Sequence, residues 1–182
     1  EKYLRIFEML PDAGAASGIV LTALRAKDRV IRTERLFYEE NVTRLGPHRR
    51  PLPIFENYAE YLSNSGISGR RPFSASIIRS SGLYEGNMGW RREALIGSDF
   101  AEAFRESRIC NAYGHYLACC ARLKGYHTYR VVNPKLSPII WHIRHSSSLQ
   151  RRPVWSEFWR SFDIACNYWR LRRLNLQTSF LR

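Results

Sequence analysis

Residues 18–45 read GIVLTALRAKDRVIRTERLFYEENVTRL, and this stretch decides the predicted fold. Its apolar residues recur at intervals of three and four from Val20 to Leu45, which is the period of one face of an α-helix. At 1.5 Å per residue, a helix over this stretch would be about 40 Å long, longer than a small domain is wide. The pattern therefore predicts a long, projecting helix and, with it, a mainly α protein.

The flanking segments extend the same interpretation. Helical periods also cover 1–10, 54–64, 98–124 and 153–174, whereas only 126–132 has the composition of a strand. We expect a mainly α, irregular helical protein with long loops or extended arms and at most one short strand pair. The predicted regions are a short helix and linker at 1–17, a long and a short helix at 18–66, an irregular Gly/Arg-rich loop at 67–97, and a helical body at 98–182 that ends in a Trp/Arg-rich helix.

The helix over 98–124 carries local start and stop signals. Ser98 and Asp99 precede it as candidate N-caps, and Glu102 occupies the capping-box position. Gly125 follows the last periodic residue, where glycine commonly ends a helix. These signals predict one continuous helix of seven turns.

Two cysteines of this predicted helix, Cys110 and Cys120, are separated by nine residues. The spacing resembles half of the twin CX9C helical hairpin of many mitochondrial intermembrane-space and mitoribosomal proteins. The second cysteine pair of that family is missing here, because Cys166 is the only cysteine outside 110–120. Nearly three helical turns also separate the two cysteines, which puts both on one buried face. We therefore expect ordinary core cysteines.

The charge balance is the strongest functional signal. The formal net charge is +13 and the sequence pI about 10.1, yet 45% of the residues are hydrophobic, so the chain can bury a core. Twenty-five of the 29 basic residues are arginines, whose planar guanidinium grips phosphate bidentately and stacks on bases. Mutational bias in a GC-rich genome explains the Arg-to-Lys ratio equally well, but it does not explain the net charge. A polyanionic partner is indicated.

The predicted phosphate contacts are a basic stripe on the long helix, four arginine pairs beside Pro, Gly or Trp, and the end of the last helix. The alternative for the stripe is a solvated helix face paired with nearby glutamates. These contacts are Arg25, Arg29, Arg32, Arg49, Arg50, Arg70, Arg71, Arg91, Arg92, Arg151, Arg152, Arg170, Arg172 and Arg173.

The last predicted helix is rich in aromatic residues, among them Trp155, Phe158, Phe162 and Trp169. Aromatic side chains at helical spacing most often form a core or a protein interface, and we favour that interpretation. Two alternatives stay open: a helix lying on an anionic membrane, and a platform on which bases stack.

Other classes of function find little support. No P-loop, GxSxG or dinucleotide-binding fingerprint is present, and no pair of carboxylates stands in a polar, glycine-turned setting. His115, Cys119, Cys120 and His127 lack the spacing of a zinc site. The longest apolar runs fall far short of a membrane span. We predict no catalytic residues, no metal, no cofactor and no small-molecule substrate.

The arginine excess, the aromatic content and the loops together resemble lineage-specific mitochondrial ribosomal proteins. The chain begins at Glu1 without Met, which is compatible with a removed targeting peptide. We therefore expect a structural, non-catalytic protein of the mitochondrial matrix that contacts rRNA and neighbouring proteins of a ribonucleoprotein. The alternative is an accessory subunit of a mitochondrial respiratory-chain or ATP synthase complex, and membrane contact belongs to that alternative alone.

Overall fold

The structure is a computed structural model, which describes residues 1–26, 29–36, 50–63, 68–84, 86–105 and 113–145 and seven helical positions between 155 and 170. The described helices are α1 (Lys2–Met9), α2 (Arg92–Leu95), α3 (Phe100–Ala103) and α4 (Tyr113–Leu123), with a 3-10 helix at Pro53–Phe55. The strands are β1 (Ala13–Ser17), β2 (Ile19–Ala26), β3 (Arg29–Leu36), β4 (Glu60–Leu62), β5 (Ser68–Arg70), β6 (Ile77–Arg79), β7 (Met88–Trp90), β8 (His127–Val131) and β9 (Ile139–His145).

These strands form three sheets, so the prediction of a mainly α protein with at most one strand pair is wrong, and the fold is α/β. A four-stranded mixed sheet has the order β6-β8-β1-β7, a three-stranded sheet has the order β3-β2-β9, and β4 pairs with β5. Two pairings are parallel: β1 with β8, and β2 with β9. Both parallel pairings join strands that are more than 100 residues apart in the chain.

In the described part of the stretch that predicted the long helix, strands β2 and β3 pair antiparallel instead, and residues 27–28 and 37–45 lie outside the described residues. Strand β2 lies at the centre of its sheet, between β3 and β9, and its residues 19–24 are apolar except for Thr22. Such a run satisfies the helical period as well as the strand pattern. The last pair of the two strands is Ala26 with Arg29.

The two larger sheets meet at Gly18, the single residue between β1 and β2. Its N–H donates to the Asn87 carbonyl at 3.0 Å, and the next N–H donates to the Pro138 carbonyl at 2.9 Å. A Cβ atom at Gly18 would lie 2.1 Å from the Pro138 oxygen, so only glycine permits this approach. The Asn87 amide donates to the Ile19 carbonyl at 2.9 Å and completes the junction.

The helix predicted over 98–124 is not continuous. Helix α3 ends at Ala103, and α4 begins again at Tyr113. The predicted N-cap also fails, because Asp99 has a left-handed φ of 48° and makes no side-chain capping hydrogen bond. The predicted stop at Gly125 is confirmed, with a φ of 86°.

The shorter helices and strands show where local sequence signals were enough to predict the structure. The helix over 1–10 and the strand over 126–132 are confirmed as α1 and β8. The prediction of a helix over 54–64 is wrong, because a 3-10 helix and β4 occupy the segment. The 67–97 segment, predicted as an irregular loop, contains β5, β6, β7 and α2. Its three strands have three residues each, too few to show a period.

The larger core cluster packs α4 against the segment before β4. Phe55, Tyr58, Leu62, Phe104 and the inner face of α4 are buried together. Cys119 and Cys120 belong to this core as free thiols, which agrees with the expectation of core cysteines, whereas Cys110 lies outside the described residues. Burial raises the pKa of both thiols, which keeps them protonated and unreactive. Among the described residues, no helix is long and apolar enough to cross a membrane.

Candidate nucleic-acid interface

The predicted helical stripe of arginines does not exist, because its members lie on two strands. Arg25 is in β2 and pairs along the backbone with Val30 of β3, whereas Arg29 and Arg32 are in β3 opposite Ala26 and Ala23. Their contact with phosphate stays a prediction, but spacing along a helix no longer supports it.

The pair Arg70 and Arg71 is exposed, and each guanidinium lies over an aromatic ring. The Arg70 Cζ atom is 4.5 Å from the centroid of the Phe73 ring, and the Arg71 Cζ atom is 5.4 Å from that of Tyr61. Arg71 also donates to the Glu56 carbonyl, and Arg70 Nε lies 3.5 Å from a Glu60 carboxylate oxygen. These contacts hold two cationic side chains in place at the surface.

The remaining predicted contacts lie in different settings. Arg50 and Arg92 are exposed. Arg91 is half-buried, donates to the carbonyls of Ala13 and Phe7, and thereby holds α1 against β1. Arg170 is half-buried, 5.0 Å from the ring centroid of Phe104. The other predicted arginines lie outside the described residues: Arg49, Arg151, Arg152, Arg172 and Arg173.

Two arginine clusters that the sequence analysis did not identify lie on opposite sides of β8. The first, here called the Glu60 cluster, consists of Glu60, Ser80, Arg130 and Arg70. The Glu60 carboxylate accepts a hydrogen bond from Ser80 Oγ at 2.8 Å and another from Arg130 Nη2, and it pairs with Arg70. The Arg130 side chain is only 6% exposed, so its charge is held inside the protein against a carboxylate.

The second, here called the Arg79–Arg122 cluster, consists of Asp12, Arg79, Arg122, His127 and Tyr129. Arg79 of β6 stands opposite Tyr129 of β8, and His127 lies two residues before Tyr129, so the three side chains share one face of the sheet. The Asp12 carboxylate accepts the hydrogen bond of the Tyr129 hydroxyl, which lies 3.0 and 2.9 Å from its two oxygens, and Asp12 lies 3.7 Å from Arg79 Nη2. Arg122, from the last turn of α4, places Nη1 3.3 Å from His127 Nε2.

The His127 ring is held neutral. Burial, then the positive charges of Arg122 and Arg79, lower its pKa to about 4, against the opposing charge of Asp12. Arg122 can only donate, so Nε2 of His127 must accept, and we assign the proton to Nδ1. Nδ1 then donates to the hydroxyl oxygen of Tyr58 at 3.2 Å, which also accepts the Thr128 N–H at 3.3 Å.

One serine–histidine contact resembles part of a hydrolase site. Ser68 Oγ lies 3.1 Å from His115 Nε2. Burial lowers the pKa of His115 to about 4, and the ring lies against the Ser81 backbone, which opposes this shift. A base with so low a pKa accepts a serine proton poorly at neutral pH. Among the described residues, no group of three or more His, Cys, Asp or Glu could hold a metal ion.

Four aromatic residues of the last helix are exposed, which argues against a core within this chain and stays consistent with a protein interface. The described positions of this segment are helical, and the exposed fractions are 72% for Trp155, 52% for Phe158, 48% for Phe162 and 60% for Trp169. Positions 155, 158, 162 and 169 are spaced by three, four and seven residues, so they follow one stripe of a helix. The chain therefore presents an aromatic surface beside Arg170.

Sequence reasoning missed Glu60, Arg79, Arg122, His127 and Arg130 for a common reason. Each is a single polar residue within an ordinary segment, and its partner lies far away in the chain. Arg130 and Glu60, for example, are 70 residues apart. Glu60 and Arg130 did offer a weak signal of a buried ion pair, because a charged residue inside an apolar strand is rare unless it is paired.

Comparisons with protein-family models, with curated proteins and with solved structures find no match for this chain. The functional inference therefore depends on the residues of the chain itself.

Proposed function

We propose that this chain is a structural, non-catalytic RNA-binding component of a large ribonucleoprotein. More specifically, we propose that it is a lineage-specific ribosomal protein of the mitochondrial matrix that contacts rRNA phosphates through arginines. Its partners would then be rRNA and the neighbouring proteins of the particle. The net charge of +13 supports a polyanionic partner.

The observation that carries the proposal is the exposed pair Arg70 and Arg71. A free arginine side chain loses much rotamer freedom when it binds, which reduces its affinity for phosphate. Stacking on Phe73 and Tyr61 restricts these two side chains beforehand, so less entropy remains to be lost. Guanidiniums fixed in this way suit phosphate contact and base stacking in single-stranded RNA.

The ion pairs also support the proposal. Within the described part of the chain, the acids that pair with arginines are Asp12, Glu60 and Glu102. Exposed arginines such as Arg50, Arg71 and Arg92 belong to none of these ion pairs. Such cations repel one another unless an external anion neutralises them.

A salt titration tests the proposal. Affinity for a structured RNA, measured by filter binding, should fall about a thousandfold or more between 50 and 200 mM salt if about six phosphates are contacted. The double variant Arg70→Ala/Arg71→Ala should reduce the slope of log affinity against log salt by about two. Arg105→Ala is the control for the loss of an exposed positive charge, because Arg105 is exposed and is not among the predicted phosphate contacts. A flat salt dependence of the wild-type protein would exclude phosphate-led binding.

The exposed aromatic stripe favours a second candidate, an accessory subunit of a mitochondrial respiratory-chain or ATP synthase complex. Trp155 and Trp169 are suited to the headgroup depth of a membrane, and the neighbouring arginines to anionic lipid. Sedimentation with anionic liposomes separates the candidates. If the second candidate holds, Trp155→Ser/Trp169→Ser should abolish co-sedimentation and leave RNA affinity unchanged. If the ribosomal proposal holds, the wild-type protein should bind RNA in preference to these liposomes.

A further inference from the structure

We propose that the Arg79–Arg122 cluster is a binding site for a single phosphate group of RNA. The site lies where the end of α4 meets the face of the four-stranded sheet, and none of its residues is among the arginines predicted from the sequence. The inference rests on the proposed function for the source of the phosphate, and on the geometry of the cluster for the site itself.

The cluster collects side chains from four separate elements onto one face. Arg79 comes from β6, His127 and Tyr129 from β8, Arg122 from α4, and Asp12 from the residue before β1. The backbone fixes their spacing: Arg79 pairs with Tyr129 across the sheet, and the His127 N–H donates to the Asp12 carbonyl at 2.8 Å. A site built on paired strands holds its geometry better than one built on loops.

The charges of the cluster do not balance. Arg79 and Arg122 contribute two positive charges, Asp12 contributes one negative charge, and His127 is neutral at pH 7. One positive charge remains, which matches the single negative charge of a phosphodiester. The Arg79 side chain is 37% exposed and Asp12 44%, so a ligand can reach both guanidinium and carboxylate.

Hydrogen-bond donors for a phosphate remain available. Arg122 uses Nε for the Ile54 carbonyl and Nη1 for the Tyr126 carbonyl and His127, and among the described residues its Nη2 atom has no partner. Arg79 shares a hydrogen bond with Tyr129 and lies 3.7 Å from Asp12, longer than a hydrogen bond. A guanidinium has five N–H donors, so one bond to Tyr129 leaves donors for phosphate. A phosphate between the two guanidiniums would gain charge-assisted contacts from both.

Asp12 limits the affinity of the site, because its carboxylate competes with phosphate for Arg79. Removal of this negative charge should therefore tighten phosphate binding. A merely structural cluster gives the opposite expectation, since loss of the ion pair between Asp12 and Arg79 would loosen the face. The sign of the Asp12→Asn effect thus separates a binding site from a structural ion pair.

His127 reports on the occupant directly. Its charged neighbours are Arg122 and Arg79, which disfavour protonation, and Asp12, which favours it; the hydroxyl of Tyr58 contacts its other nitrogen. A phosphate bound beside the two arginines adds negative charge within a few ångströms, so the pKa of His127 should rise by about one unit. The imidazole C–H resonance, assigned by its loss in His127→Gln, measures this pKa by NMR.

The experiment titrates the full chain with a single-stranded oligouridine of about ten nucleotides, a length within the usual site sizes. Uracil does not titrate in the acid range that His127 requires. We expect the pKa of His127 to rise, Arg79→Ala and Arg122→Ala each to weaken binding about tenfold, and Asp12→Asn to tighten it severalfold. Arg105→Ala removes the same charge at an exposed arginine outside both the cluster and the predicted phosphate contacts, so it should leave the His127 response unchanged.

Oligouridine with a 5′-phosphate and with a 5′-hydroxyl identifies the source of the phosphate. Equal affinities and equal His127 shifts assign the site to the backbone diester, whereas a tighter phosphorylated form assigns it to the chain end. A His127 pKa that saturating oligouridine leaves unchanged would overturn the proposal, as would Asp12→Asn binding more weakly than wild type. Both measurements remain decisive if an arginine variant fails to fold.

The two proposals can fail separately. If RNA binds with steep salt dependence but Arg79→Ala and Arg122→Ala behave like Arg105→Ala, the proposed site is wrong and the proposed function stands. If inorganic phosphate shifts the His127 pKa but RNA does not bind, the site stands and the proposed function is wrong.

Discussion

The two faces of β8 carry similar residues in opposite roles. On one face, Arg130 is buried against Glu60, which also accepts from Ser80 and pairs with Arg70. On the other, Arg79 is partly exposed and lies 3.7 Å from an exposed Asp12. A buried guanidinium requires its carboxylate, whereas an exposed one is solvated without it. The difference shows that burial, not residue type, decides whether an arginine here is structural or available to a ligand.

The largest expected effect follows from breaking the buried side. Glu60→Gln removes the negative charge opposite Arg130 and should lower the free energy of unfolding by about 3–5 kcal/mol, the usual result of leaving a buried charge unpaired. Denaturant unfolding measures the change. Glu102→Gln is the control, because the Glu102–Arg105 pair is exposed and should contribute less than about 1 kcal/mol. Equal effects of the two variants would contradict the assignment of Glu60 to a buried role.

A pH effect of intermediate size should come from two histidines whose pKa values are lowered by burial. His115 and His127 have pKa values lowered to about 4, whereas an unfolded histidine titrates near 6.5. Between these values the unfolded chain binds more protons than the folded chain, so the free energy of unfolding should fall as the pH drops from about 6.5 to 4. Unfolding curves at pH 7.5 and 5 test this. In His115→Gln/His127→Gln the difference between the two curves should shrink, and an unchanged difference would assign the acid sensitivity to other groups.

The smallest stability effect should come from the exposed side. Asp12→Asn removes the ion pair with Arg79 but leaves an amide that still accepts from Tyr129, so the free energy of unfolding should change by less than about 1 kcal/mol. Thermal unfolding of wild type and variant provides the measurement. A loss as large as that of Glu60→Gln would mean that the two clusters do not differ as described.

The outcome at 18–36 explains how far the sequence predicted the fold. The mostly apolar run over 19–24 fits both a helix face and a central strand. Its β-branched Ile19, Val20 and Thr22 favour a strand, whereas leucine and alanine at the other three positions favour a helix. The choice depends on β9, whose Ile139 pairs with Ile19 across the sheet. In contrast, α1 and β8 were predictable, because the nearby Pro11 and Asn133-Pro134 limit them locally.

The candidate site was predictable only in part for a related reason. Arg70 and Arg71 were identified from their position beside glycine and proline, a local property of a surface segment. Arg79, Arg122 and His127 carry no such mark, because the pairing of β6 with β8 and the end of α4 bring them together. Arg91, although it stands in an arginine pair, proved to hold α1 against β1.

By itself the sequence determined the basic charge and the preference for arginine over lysine. It also determined those helices and strands whose ends are set by neighbouring residues. Charge is a sum over residues and needs no contact, and the stop at Gly125 needs only a residue that tolerates a φ of 86°. The tertiary structure alone decided that β2 and β3 are strands, that Arg130 is buried and that Arg79 faces solvent. Each depends on a partner far along the chain, since a strand, unlike a helix, takes its hydrogen bonds from another segment.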